Sequence, residues 1–160
     1  MKNKKIMLIF FVVGMLVPLS GFSQIVRQSF EQLDDLQKSQ KRFVVVFINT
    51  DWCSYCQVMK NTTFKDEKIV ELLNQNFWFV DLNAEEKRNI IFNGYTFKFR
   101  PTGNSTGIHE LAEQLATLDG EVTYPTLCVL NANYEIIFQY NQLLSANDLK
   151  LLLKKMLKSA

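Results

Sequence analysis

The sequence predicts a mixed α/β fold, with one central sheet and helices on both of its faces, and three observations carry that expectation. Residues 43–48 form an unbroken β-branched and aromatic run, as a strand buried on both faces requires. Apolar residues recur at helical spacing on either side of it: Phe30, Leu33 and Leu36 before, then Ile69, Val70, Leu72 and Leu73 after. The chain then adds a strand, a hairpin, a helix, two more strands and a closing helix, an order that builds a mixed sheet with helices on both sides.

Before that fold comes a leader. Residues 1–5 hold Lys2, Lys4 and Lys5, residues 6–17 are apolar apart from Gly14, and residues 18–23 close the run with Pro18 and small residues. This is the layout of a secretory signal peptide, and the apolar stretch falls short of the ~20 residues a membrane-spanning helix needs. Cleavage is expected after Ser23, leaving a single domain at 24–160, with an uncleaved N-terminal anchor as the alternative. No cysteine lies near the cleavage point, so lipid attachment is not expected. Export to a periplasmic location follows. Without the three leader lysines, 15 basic side chains face 16 acidic ones. The mature domain therefore has no basic stripe for nucleic acid or for an acidic membrane surface.

Within the domain, residues 29–40 read as an amphipathic helix and 43–48 as the buried strand. A helix should start near Cys53 and end near Asn61. A second, over 66–74, takes Asp66 as its N-cap. Residues 77–82 form the next strand. An irregular insert, 83–107, contains a hairpin turning on Asn93-Gly94, followed by a loop from Arg100 to Gly107. Residues 108–118 read as a helix, 124–130 as a strand entered through Pro125, 134–140 as another strand, and 146–157 as a terminal helix.

The chemistry concentrates in "DWCSYC", residues 51–56, where the buried strand gives way to a helix. Exported proteins commonly use cysteines for structural bridges, but a bridge closing so short a loop constrains little unfolded chain. A helix N-terminus offers unpaired N–H groups and the positive end of the dipole, which stabilises a thiolate, the form that attacks disulfides. The spacing puts Cys53 at the helix start, as nucleophile, and Cys56 one turn deeper, as resolving thiol. Two other readings remain open: buried core cysteines, and soft thiolates for Cu(I) in a metallochaperone. A zinc site would need Cys128 and His109, which stand singly and far along the chain.

These residues, with "TTFKDEKIVELLNQNF" at 62–77 and "YPTL" at 124–127, give a sequence that resembles the thioredoxin superfamily across nearly all of the mature chain. It is similar to exported thioredoxin-like proteins and to the C-terminal thioredoxin domain of the periplasmic transmembrane thiol:disulfide reductase. The resemblance implies a thioredoxin-like fold and a thiol:disulfide oxidoreductase that acts through Cys53 and Cys56. It also implies a cis-Pro125 facing the dithiol, with Trp52, Tyr55, Tyr124 and Thr126 completing a surface for a cysteine-containing peptide. The expected partners are protein substrates and a thiol electron donor, with no cofactor and no metal, and the expected state is a monomer.

The chain departs from the family at two acidic positions. The buried aspartate six residues before the first cysteine is Phe47 here, and the acid four residues after the second cysteine in the reductase domain is Lys60. Both changes favour thiolates and raise the potential. The dipeptide Ser54-Tyr55 matches neither thioredoxin nor the strong periplasmic oxidase. Reduction of protein disulfides is the expected direction, with an oxidase or isomerase-like direction as the alternative. Cys128 is expected to be a buried core residue, and His109 a helix N-terminal or packing residue.

Overall fold

The computed structural model describes residues 24–158; the expected leader, 1–23, and residues 159–160 lie outside them. Four strands form the central sheet. β1 (Phe43–Asn49) is central, parallel to β2 (Phe77–Asn83) and antiparallel to β9 (Thr126–Leu130), and β10 (Ile136–Tyr140) pairs antiparallel with β9. Val44 through Ile48 are all fully buried, so β1 is covered on both faces, as its continuous apolar run predicts.

Alternation along the strands divides the core into two halves. Val45 and Phe47 face a cluster with Cys56, Met59, Ile69 and Leu149, contributed by α2 (Ser54–Asn61), α3 (Glu67–Asn76) and α5 (Ala146–Lys158). Val44, Val46 and Ile48 face the other half, with Leu33 of α1 (Leu33–Ser39) and Leu111 and Leu115 of α4 (Glu110–Ala116). A one-residue slip of β1 would exchange these two sets, so the packing of both faces fixes the register.

Several helix ends follow from local chemistry. Asp66 caps α3, its carboxylate accepting the Lys68 and Ile69 N–H groups at 3.0 and 3.1 Å. A cap of this kind contributes about 1 kcal/mol. A single 3-10 turn, Phe30–Gln32, precedes α1. Ahead of it the segment from Gln24 lies along the outer edge of β2. Arg27 bridges to Phe79, and the Gln28 N–H donates to the Phe79 carbonyl at 2.8 Å, which covers an otherwise open strand edge.

The insert is more structured than the sequence predicts. β3 (Ile90–Phe92) and β4 (Tyr95–Phe97) form the expected hairpin, with Asn93 and Gly94 at φ of 50° and 77°. The expected loop from Arg100 to Gly107 is instead closed by a second hairpin, β5 (Phe99–Pro101) with β6 (Gly107–His109). Gly107 permits that pairing, because a Cβ there would collide with the Phe99 ring and the Arg100 carbonyl. The helix expected over 108–118 is correspondingly shorter. His109 caps it, and Thr117–Leu118 leave it as β7 to pair with β8 (Glu121–Val122) around Asp119-Gly120, both at positive φ. The strand expected from residue 134 starts at Ile136, because Tyr134, at φ 65°, belongs to the turn before it.

Candidate active site

Strand β1 delivers the chain to the start of α2, and the turn between them is held from several sides. The Asn49 carbonyl accepts the Ala84 N–H at 2.7 Å, and the Thr50 carbonyl accepts the Cys53 N–H at 3.4 Å. Cys53 is the N-cap of α2. Its backbone is still extended, at φ −74° and ψ 106°, while its Sγ accepts the Cys56 N–H at 3.1 Å. That sulfur thus occupies the place where a helix N-terminus favours negative charge. Cys53 and Cys56 are joined by a disulfide, with their Cα atoms 5.2 Å apart. Cys53 is 5% exposed and Cys56 0%, so the outer sulfur is the one nearer to solvent.

Around the bridge lies an exposed aromatic rim. Trp52 and Tyr55 are 69% and 63% exposed, high values for large apolar side chains. Trp52 is nonetheless fixed: its Nε1 donates to Glu85 Oε1 at 3.1 Å, and its ring meets Tyr124 edge-on at 6.0 Å. Burial, followed by the nearby Glu85 and Glu113 carboxylates, pushes the Tyr124 hydroxyl up to about 12. The Tyr124–Pro125 peptide is cis. Tyr55, Tyr124, Pro125, Asn141, Gln142 and Leu143 line a groove of ≈ 450 Å³.

Trp52 and Tyr55 thus flank Cys53 along the chain, Trp52 meets Tyr124, which packs on the cluster holding both cysteines, and Tyr124 and Pro125 line the groove with Tyr55. Thr126 is placed differently. It is fully buried at the end of β9 opposite Ile48, and its hydroxyl donates to the Thr123 carbonyl at 2.7 Å. The wall formed by Asn141, Gln142 and Leu143 has no motif in the sequence, since it reaches the site only because β10 folds back beside β9.

Beneath the bridge, Phe47 is fully buried and meets Phe64 edge-on at 4.8 Å, so the motif's acidic position is filled by packing. An acid does reach the same face of the sheet from the neighbouring strand. Asp81 is the register partner of Phe47 on β2, and its Oδ1 accepts from Asn49 Nδ2 at 2.6 Å. Asn49 is fully buried, and its Oδ1 accepts from Lys60 Nζ at 2.7 Å. Only strand register brings Asp81 here, and no local sequence signal indicates it.

The remaining candidates sit apart. Cys128 is fully buried in mid-strand, and burial pushes its thiol up to about 12. His109 is also fully buried, its Nδ1 accepting the Leu111 N–H at 3.3 Å, and burial lowers its pKa. Among the described residues, no group of three or more His, Cys, Asp or Glu side chains is placed to hold a metal ion. No helix among them is long and apolar enough to cross a membrane.

A model of the thioredoxin-like domain family matches residues 29–157. Among solved structures, a thioredoxin from Thermus thermophilus is similar at a TM-score of 0.59 and 17% identity, over 84% of this chain and 88% of that one. The oxidoreductase DsbH aligns at a TM-score of 0.59 and 14% identity, over 86% and 88% of the two chains. The DsbD C-terminal domain from Neisseria meningitidis aligns at 0.51 and 14% identity, over 78% and 90%. At these identities the likeness is one of fold. None of the curated proteins compared matches the chain in sequence.

Proposed function

The chain belongs to the thioredoxin-like domain family, and from that premise we propose that it is an exported thiol:disulfide oxidoreductase that reduces protein disulfides. One observation carries the reading: a Cys53–Cys56 bridge at the N-cap of α2, beside an exposed aromatic groove. In the reduced protein the Cys53 thiolate attacks one sulfur of a substrate disulfide, and the other substrate sulfur leaves as a thiolate. Cys53 is then joined to the substrate in a mixed disulfide. The Cys56 thiolate attacks Cys53 Sγ, the bond to the substrate breaks, and the second substrate sulfur leaves as a thiolate. The substrate disulfide has gained two electrons and two protons, and the protein has lost them. A dithiol donor returns the protein to its reduced form.

The rim fits this chemistry. Trp52, Tyr55 and Tyr124 offer apolar contact, and Asn141 and Gln142 offer amide groups to a peptide backbone lying in the groove. Reduction is the direction taken because residues 51–56, 62–77 and 124–127 resemble reducing modules. Export rests on the leader-like residues 1–23, and N-terminal sequencing of the protein recovered from a periplasmic extract would test it, with Gln24 expected first.

The direct test of function is a redox equilibrium of residues 24–160 against graded dithiol/disulfide buffers, read by thiol trapping. A two-electron couple near or below about −220 mV supports a reductase, and one at about −120 to −180 mV supports an oxidase or isomerase-like direction. Cysteines that never equilibrate as a pair would overturn the redox reading.

A further inference from the structure

Lys60, Asn49 and Asp81 form a part-buried polar chain on the face of the sheet that carries the bridge, and none of them belongs to the cysteine motif. Lys60 lies four residues after Cys56, so the two side chains share the inward face of α2 at neighbouring positions. Its ammonium is anchored 2.7 Å from Asn49 Oδ1, and Asn49 in turn donates to Asp81 Oδ1 at 2.6 Å and to the Leu82 carbonyl at 3.2 Å. Asn49 is 0% exposed, the Asp81 side chain 19% and Lys60 half-buried, so these charges are less screened than they would be in water.

The other charged groups at this point are also identifiable. Arg27 Nε donates to Asp81 Oδ2 at 3.1 Å. Arg27, Lys60, Lys65 and Asp81 together line a cavity of ≈ 50 Å³ at the edge of β2, polar and large enough for water. Arg27 and Lys65 are both exposed to solvent. Lys60 is the cation on the helix face that carries Cys56, and Asp81 is the anion on the same face of the sheet as Phe47.

We propose that Lys60 and Asp81 are opposed positioning residues for the dithiol, coupled through Asn49, with Lys60 favouring the Cys56 thiolate and Asp81 opposing it. The inference rests on the oxidoreductase reading and adds to it the residues that set the balance. An ammonium one helical turn from Cys56 stabilises the reduced form once it ionises, which makes the disulfide easier to reduce. A carboxylate draws on that same ammonium and works against it. Asn49 holds both at fixed distance, because its amide donates to one and its oxygen accepts from the other.

The test is the redox equilibrium of five proteins against one reference dithiol: the unsubstituted chain, Lys60→Gln, Lys60→Arg, Asp81→Asn and the Lys60→Gln/Asp81→Asn double variant. Lys60→Gln should shift the equilibrium about tenfold toward the protein disulfide, and Asp81→Asn about tenfold toward the dithiol, each about 30 mV for a two-electron couple. The double variant should return to within about threefold of the unsubstituted chain, and Lys60→Arg, which keeps the charge, should do the same. Shifts of Lys60→Gln and Asp81→Asn in the same direction, or below twofold in both, would overturn the inference while leaving the oxidoreductase reading in place. An unsubstituted chain that never equilibrates as a pair would overturn both. If Lys60→Gln does not fold, the opposite shifts of Asp81→Asn and of Lys60→Met decide it in the same way.

Discussion

The two faces of the central sheet are made from the same strands, yet they hold cysteines of opposite character. On one face Cys53 and Cys56 sit beyond the end of β1, at the first turn of α2, with a linked lysine, amide and carboxylate on the same side of the sheet. On the other, Cys128 lies in the middle of β9 beside Val46, with its thiol pushed up to about 12 by burial alone. The difference lies in position, not in residue type. The carboxyl end of a strand leads into a helix N-terminus, where an open crevice meets unpaired N–H groups, and mid-strand positions have neither. His109 on the second face shows the same contrast: its imidazole acts as a helix cap inside a packed core.

Breaking the comparison at its strongest point gives the largest expected effect. Cys53→Ala should reduce dithiol-dependent reduction of a model disulfide to the uncatalysed background, whereas Cys56→Ala should accumulate mixed disulfides visible by mass. Cys128→Ala should keep activity within about twofold, because its sulfur is inert where it stands. An active Cys53→Ala protein, or a Cys128→Ala protein inactive yet folded, would erase the distinction between the faces.

The next effect concerns packing. Phe47→Ala removes a fully buried ring in contact with Phe64, and should cost about 3–5 kcal/mol in denaturant unfolding with the bridge intact. A loss below about 1 kcal/mol would mean that the dithiol face tolerates a cavity that the close packing of interiors does not allow.

A smaller effect should appear on the other face as a pH dependence. Burial lowers the His109 pKa from its ordinary value of 6.5, so between the folded and unfolded values the unfolded chain binds the extra proton. Stability is therefore fully present above about 6.5 and falls as the pH drops through the folded value. Melting temperatures measured downward from pH 7.5 should show this slope, and His109→Asn, which can still cap the helix, should flatten it. An unchanged slope in the variant would assign the loss to other groups.

The smallest effect sharpens the difference between rim and core. Trp52→Ala should leave stability within about 0.5 kcal/mol, because the side chain is 69% exposed. It should still lower kcat/KM for a peptide disulfide roughly fivefold, the result of losing about 1 kcal/mol of contact. Equal rates for a peptide and for a small organic disulfide would remove the rim from substrate binding.

Much of this molecule was legible along the chain, for reasons that differ from element to element. β1 was readable because a strand covered on both faces must be apolar at every position, and 43–48 are. α3 was readable from Asp66 and the helical spacing of Ile69, Val70 and Leu73. The first hairpin was readable from Asn93-Gly94, since few dipeptides accept positive φ at both residues. The β5–β6 hairpin was not, because its pairing depends on Gly107 fitting against Phe99, a contact between residues eight apart in a segment rich in turn-forming residues.

The sequence by itself determined the fold class, the position of the cysteine pair at a helix start and the burial of Cys128. Those properties follow from local periodicity, capping and apolar content, which act over a few residues. Only the tertiary structure decided what surrounds the pair. The groove wall at Asn141, Gln142 and Leu143 comes from the return of β10, and Asp81 reaches Asn49 because β1 and β2 run parallel in a register that places it beside Phe47. Such contacts depend on which strands lie side by side, and that is settled by burying both faces of the sheet at once.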